Sequence, residues 1–345
     1  MIWNLFGRRS ESKTGVGEHA LPAAGAGCAG GRDALREWWE QGRHVLIVRE
    51  KDRFRIHQGL NAFVDKSIEK LETNLRFVPQ GTIRLAKTLN DYEGSPDEEE
   101  AVEPFLIDTF AVSNARYQKF VDAGAYDDLS LWPEEVWAYL VEFRDQSGQA
   151  GPRFWREGKY PKGMGNHPVV GVCWHEASAY GAWVGQRLVT EAEWEMAANW
   201  RIEGQRNVVQ RRYPWGNSMD RQRCNIWCSG MGGTVAVDAY PSGDAPNGVR
   251  QLVGNVWEWV SSDFSVTDDS GQPLANDMPM KGIRGGAYDT YFESQATSHF
   301  RTGQTLLCRA RNIGFRCGLS LRDSPWVTES EDPDAGDAAQ PGEVD

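Results

Sequence analysis

The chain has 345 residues and a 40% hydrophobic content, enough for one large domain or two ordinary ones with a sizeable core. A formal charge of −12 leaves no basic stripe to displace counterions from phosphates, which argues against nucleic-acid binding. No run approaches the roughly eighteen apolar residues of a spanning helix, so no transmembrane segment is expected.

Met1 to Phe6 is apolar, but Arg8 and Arg9 follow it instead of preceding it, and Ala/Gly-rich sequence replaces the hydrophobic region of a signal peptide. A cytoplasmic protein is expected. Residues 1–32 read as a disordered N-terminus and linker, with Glu11 to Gly31 rich in Gly, Ala and Ser. Residues 33–76 read as a small helical extension. In it Asp33 to Glu40 looks helical, Val45 to Val48 is expected as a short apolar strand, and Ile56, Leu60, Phe63, Val64, Leu71 and Leu75 recur at helical spacing. That stripe either packs on the main domain or docks another protein.

The main domain, residues 77–322, opens at Phe77-Val-Pro-Gln-Gly81. Asp97 to Glu100 is expected as an acidic loop. Phe105, Ile107 and Thr109 alternate as a strand should, and Ser113 can cap a helix carrying Tyr117, Phe120 and Val121. His167 to Trp174 is expected as a strand leading into a helix with Tyr180, Trp183 and Val184 on one side. Thr190 and Glu193 have the spacing of a capping box, which gives the carboxylates from Glu191 to Glu195 a structural reading. Residues 323–345 form an acidic tail without lysine or arginine, expected to be disordered. Fifteen tryptophans among 37 glycines suit a loop-rich domain pinned by aromatic anchors.

Four ordered blocks stand out: Arg187 to Glu195, Tyr213 to Asn217, Gly254-Asn-Val-Trp-Glu-Trp259, and Arg284-Gly-Gly-Ala287 followed by Gly314-Phe-Arg-Cys317. Together they resemble the formylglycine-generating enzyme (sulfatase-modifying factor) family. The resemblance implies an α+β fold related to C-type lectins, loop-rich with few regular strands. In the family's oxidases, two cysteines after an Arg-Gly-Gly-Ser turn bind copper(I) and activate oxygen to convert a substrate cysteine into formylglycine. Here those positions hold Thr290 and Gln295, and the serine is Ala287, while Trp257 keeps the place of the active-site tryptophan. Copper(I) favours soft thiolates, which a hydroxyl and an amide do not replace. Copper-dependent formylglycine generation is therefore not expected.

The resemblance also implies structural calcium, held by Gln251, Glu258 and the carbonyls of Gly254 and Val256, with a weaker second site beginning at Asn225-Ile226. The alternative for Glu258 is a buried carboxylate satisfied by backbone or arginine hydrogen bonds. The family's structural disulfides would join Cys317 to position 181 and position 198 to position 300, but Gly181, Ala198 and Phe300 stand there, as in a chain kept in a reducing compartment. Cys224 and Cys228 have no second pair at zinc spacing. Cys308 is either a reactive thiol or a small buried apolar group. The histidines lack the tight spacing of the family's iron enzymes, although an iron triad assembled from distant residues stays open.

A polar, aromatic-rich segment follows Arg284. Trp257, Arg284, Ala287, Tyr288, Thr290, Gln295 and Arg301 are its candidate binding residues, for a peptide, glycan or protein ligand. A non-catalytic binding module is the favoured function. The alternative is an oxidoreductase of the same family, with non-haem iron or no metal, acting on a small molecule or peptide.

Overall fold

The computed structural model describes residues 29–49, 61–85, 98–199, 210–265 and 278–321. Residues 1–28 of the expected N-terminal linker, Ile56, Leu60 and the acidic tail lie outside the described residues. The linker was expected to run to residue 32, but residues 29–32 are helical: they form the first turn of a helix held by burial of Leu35 and Trp38 against Ile47 and Val64. Helices α1 (Ala29–Glu40), α2 (His44–Arg49) and α3 (Asn61–Asn74) lead into strand β1 (Leu75–Val78). Strand β1 pairs antiparallel with β4 (Phe105–Asp108), which pairs with β10 (Cys317–Ser320), which pairs with β5 (Arg187–Leu188). The last strand among the described residues therefore lies inside the sheet whose edge is β1. Val45, Val48, Leu71 and Leu75 pack with Leu319, so the C-terminal end of the expected stripe is buried against the main domain, while Val64 packs among the N-terminal helices with Leu35, Trp38 and Ile47. Arg43 secures the junction by donating from Nε to the Trp183 carbonyl at 2.8 Å.

The expected strand at Val45 to Val48 is a helix. Val45 and Val48, three apart, face Leu71 and Leu75, while Ile47 faces Leu35, Trp38 and Val64. Burial toward two neighbours suits a helical turn, which satisfies its backbone locally, whereas a four-residue strand would need a partner edge.

The acidic segment also departs from expectation. Glu98–Val102 forms β3, paired antiparallel with β2 (Gly81–Leu85), and Arg84 lies opposite Glu99 with Nε 2.9 Å from its carboxylate. A basic cross-strand neighbour makes an acidic strand tolerable.

Helix α4 (Asn114–Asp122) begins as expected, with the Ser113 side chain accepting from the Arg116 amide. The stretch from His167 carries only an isolated bridge between Pro168 and Ser113. Pro168 has no amide to donate, and Gly171 at φ +75° breaks the extended run before α5 (Trp174–Val184). In α6 (Glu191–Ala198), Thr190 and Glu193 form the expected capping box.

The second four-stranded sheet has the order β8 (Arg301–Thr305), β7 (Met280–Arg284), β6 (Trp257–Asp263), β9 (Ile313–Phe315). Only β6 and β9 run parallel in it. Between the sheets lies an aromatic core in which Tyr117 stacks on Tyr180 at 5.3 Å and Phe315 meets both edge-on. Buried Glu176 is satisfied within it by Tyr126 and Arg309. No helix among the described residues is long and apolar enough to cross a membrane.

Candidate functional site

Strand β7 ends at Arg284, whose guanidinium is fully buried. Two carboxylates one helical turn apart on α6 receive it: Nη1 is 2.7 Å from Glu191 Oε1, and Nη2 pairs with Glu195. Arg301 Nη2 lies 2.7 Å from the other Glu191 oxygen, and His299 Nδ1 lies 2.9 Å from Glu195. The α6 carboxylates are thus consumed in fixing the start and end of the 284–301 segment, in line with their structural reading.

Gly285 and Gly286 follow at φ +95° and +78°. A Cβ on Gly285 would stand 2.4 Å from the Leu252 carbonyl oxygen, and one on Gly286 would stand 3.1 Å from Ala296. The glycines therefore let the turn press against its own domain. Ala287 is buried beneath it. Thr290 closes the turn by accepting from the Ala287 amide at 2.8 Å and is itself buried. Of the candidate binding residues, Arg284, Ala287, Thr290 and Trp257 are interior, Arg301 is ion-paired, and Tyr288 and Gln295 are half-buried. Neither Thr290 nor Gln295 offers a soft donor, so the pair does not fit copper(I).

The surface of the segment lies just beyond. Tyr291 is 67% and Phe292 61% exposed, and their rings meet edge-on at 5.2 Å. Trp227, 59% exposed, stands 6.1 Å from Tyr291, and its amide donates to the Thr290 carbonyl at 3.2 Å. Met231 is exposed in the same loop. Arg221 donates twice to Glu293, at 3.0 and 2.8 Å, on one wall of an adjoining cleft of about 780 Å³ that Trp215 also lines. Sequence reasoning missed Trp227 and Met231. Their signal was two large apolar residues in a glycine-rich stretch with no periodicity to bury them.

The side chains expected to hold calcium are engaged by other protein groups. Glu258 accepts from Trp194 Nε1 and from Arg316, whose Nε and Nη2 each stand 2.7 Å from a carboxylate oxygen. The arginine alternative weighed for Glu258 is the one realised. Gln251 donates to the Ala236 and Ala239 carbonyls and accepts from Asn255 at 2.7 Å. Asn255 also receives Asn225 Nδ2 and the Val235 amide, and Asn225 Oδ1 accepts from Ser229. A carboxylate neutralised by arginine and carboxamides saturated by protein do not fit a hard cation. Among the described residues, no three His, Cys, Asp or Glu side chains group as metal ligands. Cys224 is buried and Cys228 exposed. Burial pushes the Cys308 thiol above its ordinary value, which favours its apolar reading over a reactive thiolate.

Residues 63–321 match the family model of the sulfatase-modifying factor enzyme 1-like domain, starting within α3, upstream of Phe77. Formylglycine-generating enzyme of Thermomonospora curvata is 31% identical over 308 residues, covering 73% of this chain and 95% of its own. Inactive C-alpha-formylglycine-generating enzyme 2 of Bos taurus is 33% identical over 274 residues, covering 68% of this chain and 83% of its own. Hercynine oxygenase of Mycolicibacterium smegmatis is 37% identical over 170 residues, covering 46% of this chain and 37% of its own.

Proposed function

The chain belongs to the sulfatase-modifying factor family, and from that premise we propose that it is a binding module without formylglycine-generating activity. The observation that carries this reading is the exposed aromatic cluster of Trp227, Tyr291 and Phe292 on a backbone anchored by buried ion pairs. Rigid aromatic side chains lose little entropy on contact and offer stacking faces to a peptide, glycan or protein surface. Thr290 and Gln295 in place of soft ligands, and similarity to a relative named as inactive, point the same way.

Two measurements test it. Peptide and glycan arrays should yield a ligand whose binding is lost in a Trp227→Ala/Tyr291→Ala/Phe292→Ala variant that melts like the parent. A cysteine peptide incubated with the protein, copper(I) and oxygen should show no conversion to formylglycine by mass spectrometry. Formylglycine in that assay would sink the proposal. The second reading, an oxidoreductase acting on a small molecule or peptide, draws support from the similarity to hercynine oxygenase. Stoichiometric iron in the purified protein would favour it.

A further inference from the structure

Where the N-terminal helices meet the main domain lies a cavity of about 230 Å³, lined by no residue of the 284–301 segment. Lys70 of α3, His44 of α2, Arg116 and Lys119 of α4, Gln186 and Asp108 line it. Asp108 is the one carboxylate of that lining, and it is already neutralised: Arg116 Nη2 stands 3.2 Å from both of its oxygens, and the Cys317 amide donates to it. Lys70 and Lys119 have no acidic partner among the described residues, and the Lys119 amine reaches over the turn at Gly42. The lining thus carries an excess of positive charge in a chain whose formal charge is −12.

Two buried polar atoms in this wall are unsatisfied among the described residues. Gln186 is only 8% exposed, and its Nε2 donor has no partner; His44 Nδ1 has none either. A buried amide donor left unmade costs about 1–3 kcal/mol, so its presence beside two unpaired ammonium groups calls for an acceptor between them. The crowding of positive charge is felt by its neighbours. Burial and the nearby Lys119, Lys70 and Arg116 hold the His44 imidazole down at about 4, and burial with Arg116 and Lys70 lowers the Lys119 amine.

We propose that this cavity binds a small phosphate-class oxyanion, with the Lys70 and Lys119 ammonium groups and Gln186 Nε2 as donors. Lysine is a compact point charge suited to phosphate, and the volume admits inorganic phosphate or a small phosphomonoester but no nucleotide. Three elements supply the donors, α3, α4 and the turn after α5, so the anion would also fasten the N-terminal helices to the domain.

The test uses the full chain. Calorimetric titration with inorganic phosphate and, separately, glycerol phosphate at fixed ionic strength should give saturable binding with a Kd on the order of millimolar or tighter. The same anion should raise the melting temperature, where an equal ionic strength of chloride does not. Lys70→Met/Lys119→Met should weaken binding by at least about tenfold while melting no lower than the parent in chloride, since neither ammonium group has a carboxylate partner among the described residues to lose. Gln186→Leu should weaken it too. Binding of glycerol phosphate but not inorganic phosphate would identify a phosphomonoester as the source, and the reverse the free ion. No saturable binding of either, or an equal response in the double-lysine variant, would overturn the proposal. So would a response to malonate alone.

Discussion

Arg316 forms a bidentate pair with Glu258, both guanidinium–carboxylate distances being 2.7 Å, in a site sealed from solvent. The pair neutralises the one carboxylate on which the expected calcium site depends. Melts in calcium and in chelator should therefore coincide. Glu258→Gln should cost about 3–5 kcal/mol, because it leaves a buried guanidinium without its countercharge. A calcium-dependent rise in the parent's melting temperature would show that the pair opens to admit the ion.

The Gly285 turn is predicted to be intolerant of a side chain. Gly285→Ala combines a left-handed φ with a Cβ 2.4 Å from the Leu252 oxygen, so a loss of roughly 1–3 kcal/mol from strain, plus the displacement of Leu252, is expected in denaturant titration. Thr290→Val keeps the shape but leaves the buried Ala287 amide unpaired, at a cost of about 1–3 kcal/mol. If Thr290→Val proved neutral, the hydroxyl would have no part in closing the turn.

Surface and anchor residues of the same segment should separate cleanly. Tyr291→Ala or Phe292→Ala should leave stability within about 0.5 kcal/mol of the parent and reduce ligand binding on the arrays. Arg301→Ala should do the opposite of a surface change and lower the melting temperature, because Glu191 then loses one of its two guanidinium partners. Equal melting of both kinds of variant would contradict the division.

His44 gives stability a pH dependence of definite sign. Its folded value, about 4, lies below the ordinary histidine value of 6.5, so the unfolded chain takes up the proton first. Stability should be intact above pH 6.5 and fall as pH drops toward 4, by about 2 kcal/mol once solvent screening of the partly exposed ring is allowed for. His44→Gln should flatten that part of the profile in urea titrations. The groups that oppose its charge are Lys70, Lys119 and Arg116, so Lys70→Met/Lys119→Met should flatten it in part.

Features governed by near neighbours in the chain were legible in the sequence: the Ser113 cap, the capping box of Thr190 and Glu193, the helical spacing of Tyr180, Trp183 and Val184, and the four motif blocks that marked the family. The segment after Arg284 was also legible as polar and aromatic. Which of its residues face solvent was not. Thr290 and Ala287 turn inward because the two glycines fold the chain back on Leu252 and Ala296, a contact with no local sign.

The sequence by itself determined the family, the capped starts of α4 and α6 and the lack of soft ligands at the two positions after the glycine turn, because each depends on residue identity or on spacing of a few residues. Only the tertiary structure decided that Val45 to Val48 coils, that Glu258 meets Arg316 across 58 positions, and that Lys70, Lys119 and Gln186 converge on one cavity. The physical reason is common to all three. Burial of charge and of backbone polar groups is settled by whichever partner the packed chain brings within hydrogen-bond reach, and that partner has no fixed distance along the sequence.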